Sequence, residues 1–140
     1  MTTIDTMKDL IERHIKAEMG ADVDAAVAVY APGVVHDVVG FPTGPAHGVD
    51  GARAFYDYLT SNFANEQMNV RWESFGDEFC VVEHECTGTV PGEFLGVPGG
   101  GKRITFRMLH VWEFADDRIT REQVWLDGGS IVAQLTDAGH

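Results

Sequence analysis

Two histidines lie in rows of alternating residues that are otherwise apolar. His110 is the one polar member of its face on a predicted strand over 103–114. The rest of that face consists of Ile104, Phe106, Met108, Trp112 and Phe114. His84 has the same relation to Cys80, Val82 and Cys86 on a neighbouring predicted strand. Because a buried polar group needs a partner or a function, we predict that both imidazoles face a pocket and do acid–base chemistry. The alternative is a core histidine bound to a backbone carbonyl.

A carboxylate and an imidazole stand side by side on a predicted strand over 34–39, as Asp37 and His36. Alternation groups Asp37 with Val35 and Val39, which favours Asp37 as the inward residue. Partial burial would raise the pKa of its carboxyl toward the range useful for a general base. His36 is the inward residue if the strand has the opposite orientation.

Two predicted helices carry a polar side chain on their apolar stripes. His14 lies on the stripe of a helix over 4–19, and Tyr56 on that of a helix over 49–64. Each is either a hydrogen-bond donor to a ligand or a half-buried residue with a satisfied polar tip. Glu122 shares the strand parity of Val124, and therefore reaches the pocket floor unless it lies in a surface loop. The residues predicted to shape the pocket are Phe55, Trp72, Phe106, Met108 and Trp112.

The histidines and cysteines do not have the spacing of a metal site. The sequence contains neither a His pair four residues apart on a helix nor a Cys-x-x-Cys motif. The glycines at 99–101 precede a strand rather than a helix, so they predict a hairpin loop and not a phosphate site. We therefore expect no metal and no cofactor.

Three helices with one strand among them, followed by four strands, must position these residues. The apolar period changes to two from residue 67 onward, and later strands are predicted over 79–89, 103–114 and 118–127. Segregated helices and strands predict an α+β fold. We expect a single domain, 1–140, with three N-terminal helices packed on a curved, mostly antiparallel sheet that encloses a pocket.

The chain is acidic, with 22 Asp and Glu against 10 Lys and Arg among 140 residues and a net charge of −12. This charge disfavours nucleic acid and anionic membrane surfaces as partners. No secretory signal and no apolar run of membrane-spanning length is present in the sequence. Cys80 and Cys86 are about 20 Å apart on one predicted strand, beyond disulfide reach. We predict a cytoplasmic protein.

The segment from Gly92 to Arg107, followed by His110-Val-Trp-Glu-Phe and Arg118-Ile, resembles the SnoaL-like polyketide cyclase family. This family is a branch of the nuclear transport factor 2-like superfamily, and the resemblance covers residues 7–135. It implies a cone-shaped α+β barrel whose mouth opens into a ligand cavity, usually in a homodimer. Members include polyketide cyclases, ketosteroid isomerase, limonene epoxide hydrolase and dehydratases, together with non-enzymatic binders.

The first half of the chain is also similar in spacing to ketosteroid isomerase. That similarity implies oxyanion-hole positions for His14 and His110, the third-helix tyrosine position for Tyr56, and the general-base position for Asp37. The last strand departs from the family, because Val124 stands where SnoaL cyclases have a catalytic aspartate.

Together these features predict a cofactor-independent acid–base enzyme of the isomerase, cyclase, dehydratase or hydrolase type. Its substrate would be a small hydrophobic metabolite, carbonyl-bearing or cyclic and polyketide- or steroid-like. Asp37 would move the proton, and His110 with His14 or Tyr56 would stabilise the developing oxyanion. The alternative is a non-catalytic module of the same fold that binds a small ligand or dimerises.

The predicted outer face of the sheet carries the large apolar side chains of Leu109, Val111 and Trp125. Soluble monomers rarely expose such a patch, so we expect the same face of a second chain to cover it in a two-fold dimer. The alternative is that the C-terminal segment over 131–135 folds back over the patch.

Overall fold

Residues 1–137, which the computed structural model of the chain describes, form four helices and eight strands. The helices are α1 (Ile4–Met19), α2 (Val23–Val27), α3 (Gly48–Asn62) and α4 (Gly128–Thr136). The strands are β1 (Tyr30–Val39), β2 (Ala46–His47), β3 (Ala64–Gly76), β4 (Phe79–Val90), β5 (Glu93–Phe94), β6 (Val97–Pro98), β7 (Lys102–Ala115) and β8 (Arg118–Leu126). This architecture confirms the predicted α+β fold.

Six strands form one curved sheet in the order β2-β1-β8-β7-β4-β3. The pairs β3–β4, β4–β7 and β7–β8 are antiparallel, as predicted, whereas β1 pairs with β8 in parallel. Within residues 1–137 the edge strands β2 and β3 do not pair with each other, so the sheet is open rather than a closed barrel. Strands β5 and β6 form a separate short hairpin.

The apolar stripe of α1 carries His14 into the interior. Thr3 starts this helix by accepting a hydrogen bond from the backbone N–H of Thr6. The buried residues of the helix are Met7, Leu10, Ile11, His14 and Ala17. Because these positions recur every three or four residues, they form one face, and the imidazole shares that face with the core. No helix within residues 1–137 is long and apolar enough to cross a membrane.

The chain leaves the sheet in a helix, α4, that the sequence pattern did not predict. Asp127 caps this helix by accepting from the backbone N–H of Ser130, and this cap outweighs the two glycines that follow it. The Gln134 side chain bonds the backbone N–H and C=O of Thr105, on the part of β7 that β8 does not reach. Ile131 is fully buried in a cluster of inner-face residues.

The outer face of the sheet keeps its apolar patch. Trp125 is 48% exposed and pairs across the strands with the half-buried Leu109, and Val111 is also half-buried. The buried residues of α4 belong to the inner core instead. The segment over 131–135 therefore does not cover Trp125.

Candidate functional site

A buried carboxylate on β8, Glu122, lies at the centre of the site and is 1% exposed. Its Oε1 accepts hydrogen bonds from the Tyr30 hydroxyl and the Trp112 indole N–H, both at 2.7 Å. Its Oε2 accepts from the Tyr56 hydroxyl at 3.2 Å, and His14 Nε2 lies 3.2 Å from Oε1. Donors from β1, β7, α3 and α1 thus converge on one carboxylate.

His14 and Glu122 form a buried ion pair. Burial by itself would lower the pKa of His14, but the charge and hydrogen bond of Glu122 outweigh burial and raise that pKa to about 9. Burial would likewise favour a neutral Glu122, but His14 holds the pKa of its carboxyl well below the usual range. His14 Nδ1–H donates to the Ala26 carbonyl at 2.7 Å, so both ring nitrogens carry protons. At neutral pH the pair is an imidazolium and a carboxylate.

The contacts of Tyr56 determine which nitrogen of His36 carries a proton. The single hydroxyl proton of Tyr56 is donated to Glu122, so the Tyr56 oxygen can only accept from an imidazole. His36 Nε2 lies 3.2 Å from that oxygen and therefore donates to it. In a neutral imidazole this leaves Nδ1 of His36 as the proton acceptor. His36 is thus connected through Tyr56 to the ion pair.

His84 and His110 form a second buried pair, with their Nδ1 atoms 3.0 Å apart. Burial lowers the pKa of His84 to about 4 and that of His110 to about 3, so both rings are neutral and one donates to the other. The His110 ring stacks on Trp112, with centroids 4.5 Å apart. Since Trp112 donates to Glu122, the indole connects the two polar clusters.

The polar groups open onto a small cavity, here called the inner chamber, of about 40 Å³. This volume admits only a few water-sized groups. Its polar lining consists of Glu18, His36, Tyr56, Asn65, His110 and Glu122. Its apolar lining consists of Val38, Phe55, Leu59, Phe63, Cys86, Phe94, Phe106, Met108, Val124 and Leu126.

A larger cavity of about 560 Å³, here called the vestibule, adjoins the inner chamber. It is bounded by residues 41–46, by α3 and by the β5–β6 hairpin, and most of its lining side chains are apolar. Its volume lies within the range typical of small-ligand pockets. His36, Val38 and Phe55 line both cavities. A ligand in the vestibule would therefore meet the polar network at His36.

Asp37 faces the opposite side of β1 from His36. His36 pairs in register with Glu122, whereas Asp37 pairs with Gln123 on the outer face and is half-buried. Asp37 lines neither cavity. The prediction that Asp37 is the inward residue, placed to move a proton in the pocket with His110, is therefore wrong, and the inward residue is His36. Both rows of this strand are rich in valine, so alternation could not distinguish its two faces.

Trp72 also lies outside the pocket, 49% exposed. A register shift between Val70 and Trp72 changes the face of the strand on which later residues lie. Val70 pairs with the inward His84, but Trp72 pairs with the outward Glu83. The prediction that Trp72 lines the pocket is wrong because a β-bulge is not visible in the alternation.

The other predicted site residues lie around the inner chamber. Phe55, Phe106, Met108 and Val124 line it directly, together with His36, Tyr56, His110 and Glu122. His14, Trp112 and His84 stand behind this lining and act on it through hydrogen bonds or ring contacts.

Sequence reasoning missed Glu18 and Tyr30. Tyr30 begins β1 and donates to Glu122. Glu18 lies one helical turn after His14, with its Oε2 3.7 Å from His14 Nε2. That four-residue spacing was the available signal, because such residues share one helix face.

No group of three His, Cys, Asp or Glu side chains within residues 1–137 is arranged to hold a metal ion. The two cysteines, Cys80 and Cys86, are buried free thiols, and burial raises the pKa of each to about 12. A thiol with so high a pKa is a poor nucleophile.

Comparison with known proteins adds a family and a fold. The model of the SnoaL-like polyketide cyclase family matches residues 8–135. No curated protein matches the chain. The likeness to solved structures is close in shape and distant in sequence.

Three of these structures illustrate the fold. TsrD from Streptomyces laurentii has a TM-score of 0.84 and 17% identity, covering 97% of this chain and 98% of its own. A candidate SnoaL-like polyketide cyclase of Jannaschia sp. CCS1 has a TM-score of 0.83 and 20% identity, and the match covers 95% of this chain and 93% of that protein. The third is a Catenulispora acidiphila protein with a ketosteroid isomerase-like fold, in complex with trimethylamine. It has a TM-score of 0.75 and 13% identity, and the match covers 90% of this chain and 91% of that protein.

Proposed function

Since this chain belongs to the SnoaL-like polyketide cyclase family, we propose that it is a cofactor-independent acid–base enzyme. Its substrate would be a small hydrophobic metabolite with a carbonyl group or a ring. The observation that carries this proposal is the position of His36, whose imidazole lines both the apolar vestibule and the polar inner chamber. A hydrophobic ligand in the vestibule would direct one oxygen-bearing end toward that imidazole.

The network behind His36 supports proton removal as its role. Isomerisation, cyclisation and dehydration beside a carbonyl all begin when a base takes a proton from carbon and charge develops on oxygen. Tyr56 fixes the ring of His36 through Nε2, and Glu122 would stabilise the imidazolium that forms, through the same hydroxyl. The neutral His84–His110 pair offers a hydrogen bond to the oxygen without adding charge to the chamber.

Exchange of the α-protons of 1-tetralone for deuterium in D₂O tests this proposal without the natural substrate. The probe is an apolar bicyclic ketone, and NMR measures loss of the protons beside its carbonyl. We expect the protein to accelerate exchange. Binding of the ketone with no acceleration at any pH would favour the non-catalytic binding module instead.

A vestibule variant shows whether exchange takes place in the proposed site. Ala54→Trp places a large side chain in the vestibule wall from an exposed position on α3. We expect it to reduce the accelerated rate by about tenfold or more, because the ketone loses its apolar binding volume. Asp57→Trp is the matched control, since it adds the same side chain on the same helix outside both cavities. Equal rates in the two variants would contradict the vestibule as the binding site.

We further propose that the chain forms a homodimer through the outer sheet face. The exposed Trp125 beside Leu109 and Val111 supports this assembly, because a large apolar patch is rarely left in water. Trp125→Glu should convert the dimer to a monomer and leave 1-tetralone exchange largely intact, as Trp125 lines neither cavity. Light scattering at micromolar concentration is the measurement. A wild-type mass near the chain mass of 15.3 kDa would contradict the dimer.

A further inference from the structure

Glu18, in the last turn of α1, lines the inner chamber with an unpartnered carboxylate oxygen. The side chain is 9% exposed, and its Oε2 is buried without a hydrogen bond among the described residues. Its nearest charged neighbour is His14 Nε2 at 3.7 Å, beyond hydrogen-bond distance. Among residues 1–137, Glu18 Oε2 is the one buried side-chain oxygen or nitrogen without a hydrogen-bond partner. Since buried polar atoms are normally satisfied, this oxygen requires an explanation, and a ligand in the chamber supplies one.

The groups around Glu18 bring the pKa of its carboxyl close to neutral pH. Burial raises the pKa of its carboxyl to about 7, while the His14 imidazolium opposes this rise and the Glu122 carboxylate adds to it. His36 on β1 also lowers the pKa of Glu18. Cys86 on β4, Tyr30 and Tyr56 remain neutral beside the carboxyl. Both protonation states of Glu18 are therefore populated at neutral pH, whereas Glu122 stays ionised.

We propose that Glu18 is a second proton-transfer group of this site, which donates a proton to the oxygen of a carbonyl ligand in the inner chamber. This inference rests on the proposed function. His36 Nδ1 takes the proton from the carbon beside the carbonyl, and the electron pair of the broken C–H bond forms a C=C bond. The Glu18 proton moves to the carbonyl oxygen, whose π electrons form the new O–H bond. The products are an enol, an imidazolium and a carboxylate, so atoms and charge balance.

The first test is the pH dependence of 1-tetralone exchange. Because the donor must be protonated, the wild-type rate should fall as the pH rises through about 7. Glu18→Gln keeps the shape of the side chain but has no proton to transfer. We expect it to lower the rate at pH 6 by roughly 10- to 100-fold and to remove the fall above that pH.

Glu12→Gln is the matched control, because Glu12 is an exposed carboxylate on the same helix. It should keep both the rate and the pH profile of the wild type. If Glu18→Gln also keeps both, the inference is overturned while the proposed function stands. If the wild type exchanges no tetralone at any pH, the proposed function itself fails.

A carboxyl titration decides the role of Glu18 even in that second case. Protein labelled with ¹³C at the Glu carboxyl carbons is titrated by NMR with and without saturating 2-naphthol, and Glu18→Gln identifies the resonance. A Glu18 that contacts the ligand oxygen should titrate near 7, with a midpoint that 2-naphthol moves by roughly half a unit or more. A Glu18 midpoint that 2-naphthol leaves unchanged overturns the inference.

Discussion

Replacing Glu122 by Gln should destabilise the protein by about 3–5 kcal/mol at pH 7, because the change leaves the buried His14 imidazolium without its counter-charge. The four donors that converge on the carboxylate would also lose a strong acceptor. Chemical denaturation at pH 7 measures the difference. The matched control is Glu113→Gln on β7, which removes an exposed carboxylate paired with Arg121 and should cost less than about 1 kcal/mol.

The same variant should change how stability depends on pH. The pKa of His14 is about 9 in the folded chain against an ordinary 6.5, so its contribution is present below 6.5 and is lost as the pH rises through 9. The difference corresponds to roughly 3 kcal/mol. The wild-type free energy of unfolding should therefore fall between pH 7 and 9, and Glu122→Gln should flatten this fall. An equally steep fall in the variant would contradict the ion pair.

Replacing His36 by Phe should lower the rate of 1-tetralone exchange by roughly a hundredfold, because it removes the proton acceptor between the two cavities. The phenyl ring fills a similar volume, so the vestibule should still bind the ketone. NMR measures the exchange rate, and the ketone's own resonances measure its binding. A His36→Phe rate within about twofold of wild type, with binding retained, would exclude His36 as the base.

Asp37→Asn on the same strand is the control for this prediction. Asp37 faces the outer side of the sheet, so the variant should keep the wild-type exchange rate. A hundredfold loss in Asp37→Asn with no loss in His36→Phe would reverse the assignment. Such a result would require the strand to present its other face to the ligand.

The elements of the fold could be predicted because their apolar periods are clear. The helix predicted over 4–19 has those bounds in the structure, and the strand predicted over 103–114 extends by one residue at each end. Helix α4 was missed because Gly128 and Gly129 have low helix propensity and suggested an irregular segment after the last strand. The capping carboxylate of Asp127 nevertheless stabilises the start of a helix at that point. The parallel pairing of β1 with β8 depends on contacts far apart in sequence, which a local pattern does not contain.

The burial of polar residues could be predicted where one of them interrupted an apolar row. His110, His84 and His14 were predicted in this way, and all three are buried. The rule failed at Asp37 because both faces of β1 are rich in valine, so alternation does not distinguish them. It failed at Trp72 because a β-bulge in β3 changes the face on which later residues lie. It also could not find Glu18 or the convergence on Glu122, because these depend on distances between α1, β1, α3 and β8.

A crystal structure of the protein with 2-naphthol tests the central claim most directly, since this phenol is a flat, fused-ring molecule with a single enol-like hydroxyl. The account predicts that the fused rings occupy the vestibule against Phe41 and Phe55, with the hydroxyl in the inner chamber. The hydroxyl oxygen should lie within hydrogen-bond distance of Glu18 or His110, at about 2.6–3.2 Å. A ligand bound outside the vestibule, or one whose hydroxyl points away from the inner chamber, would contradict the account.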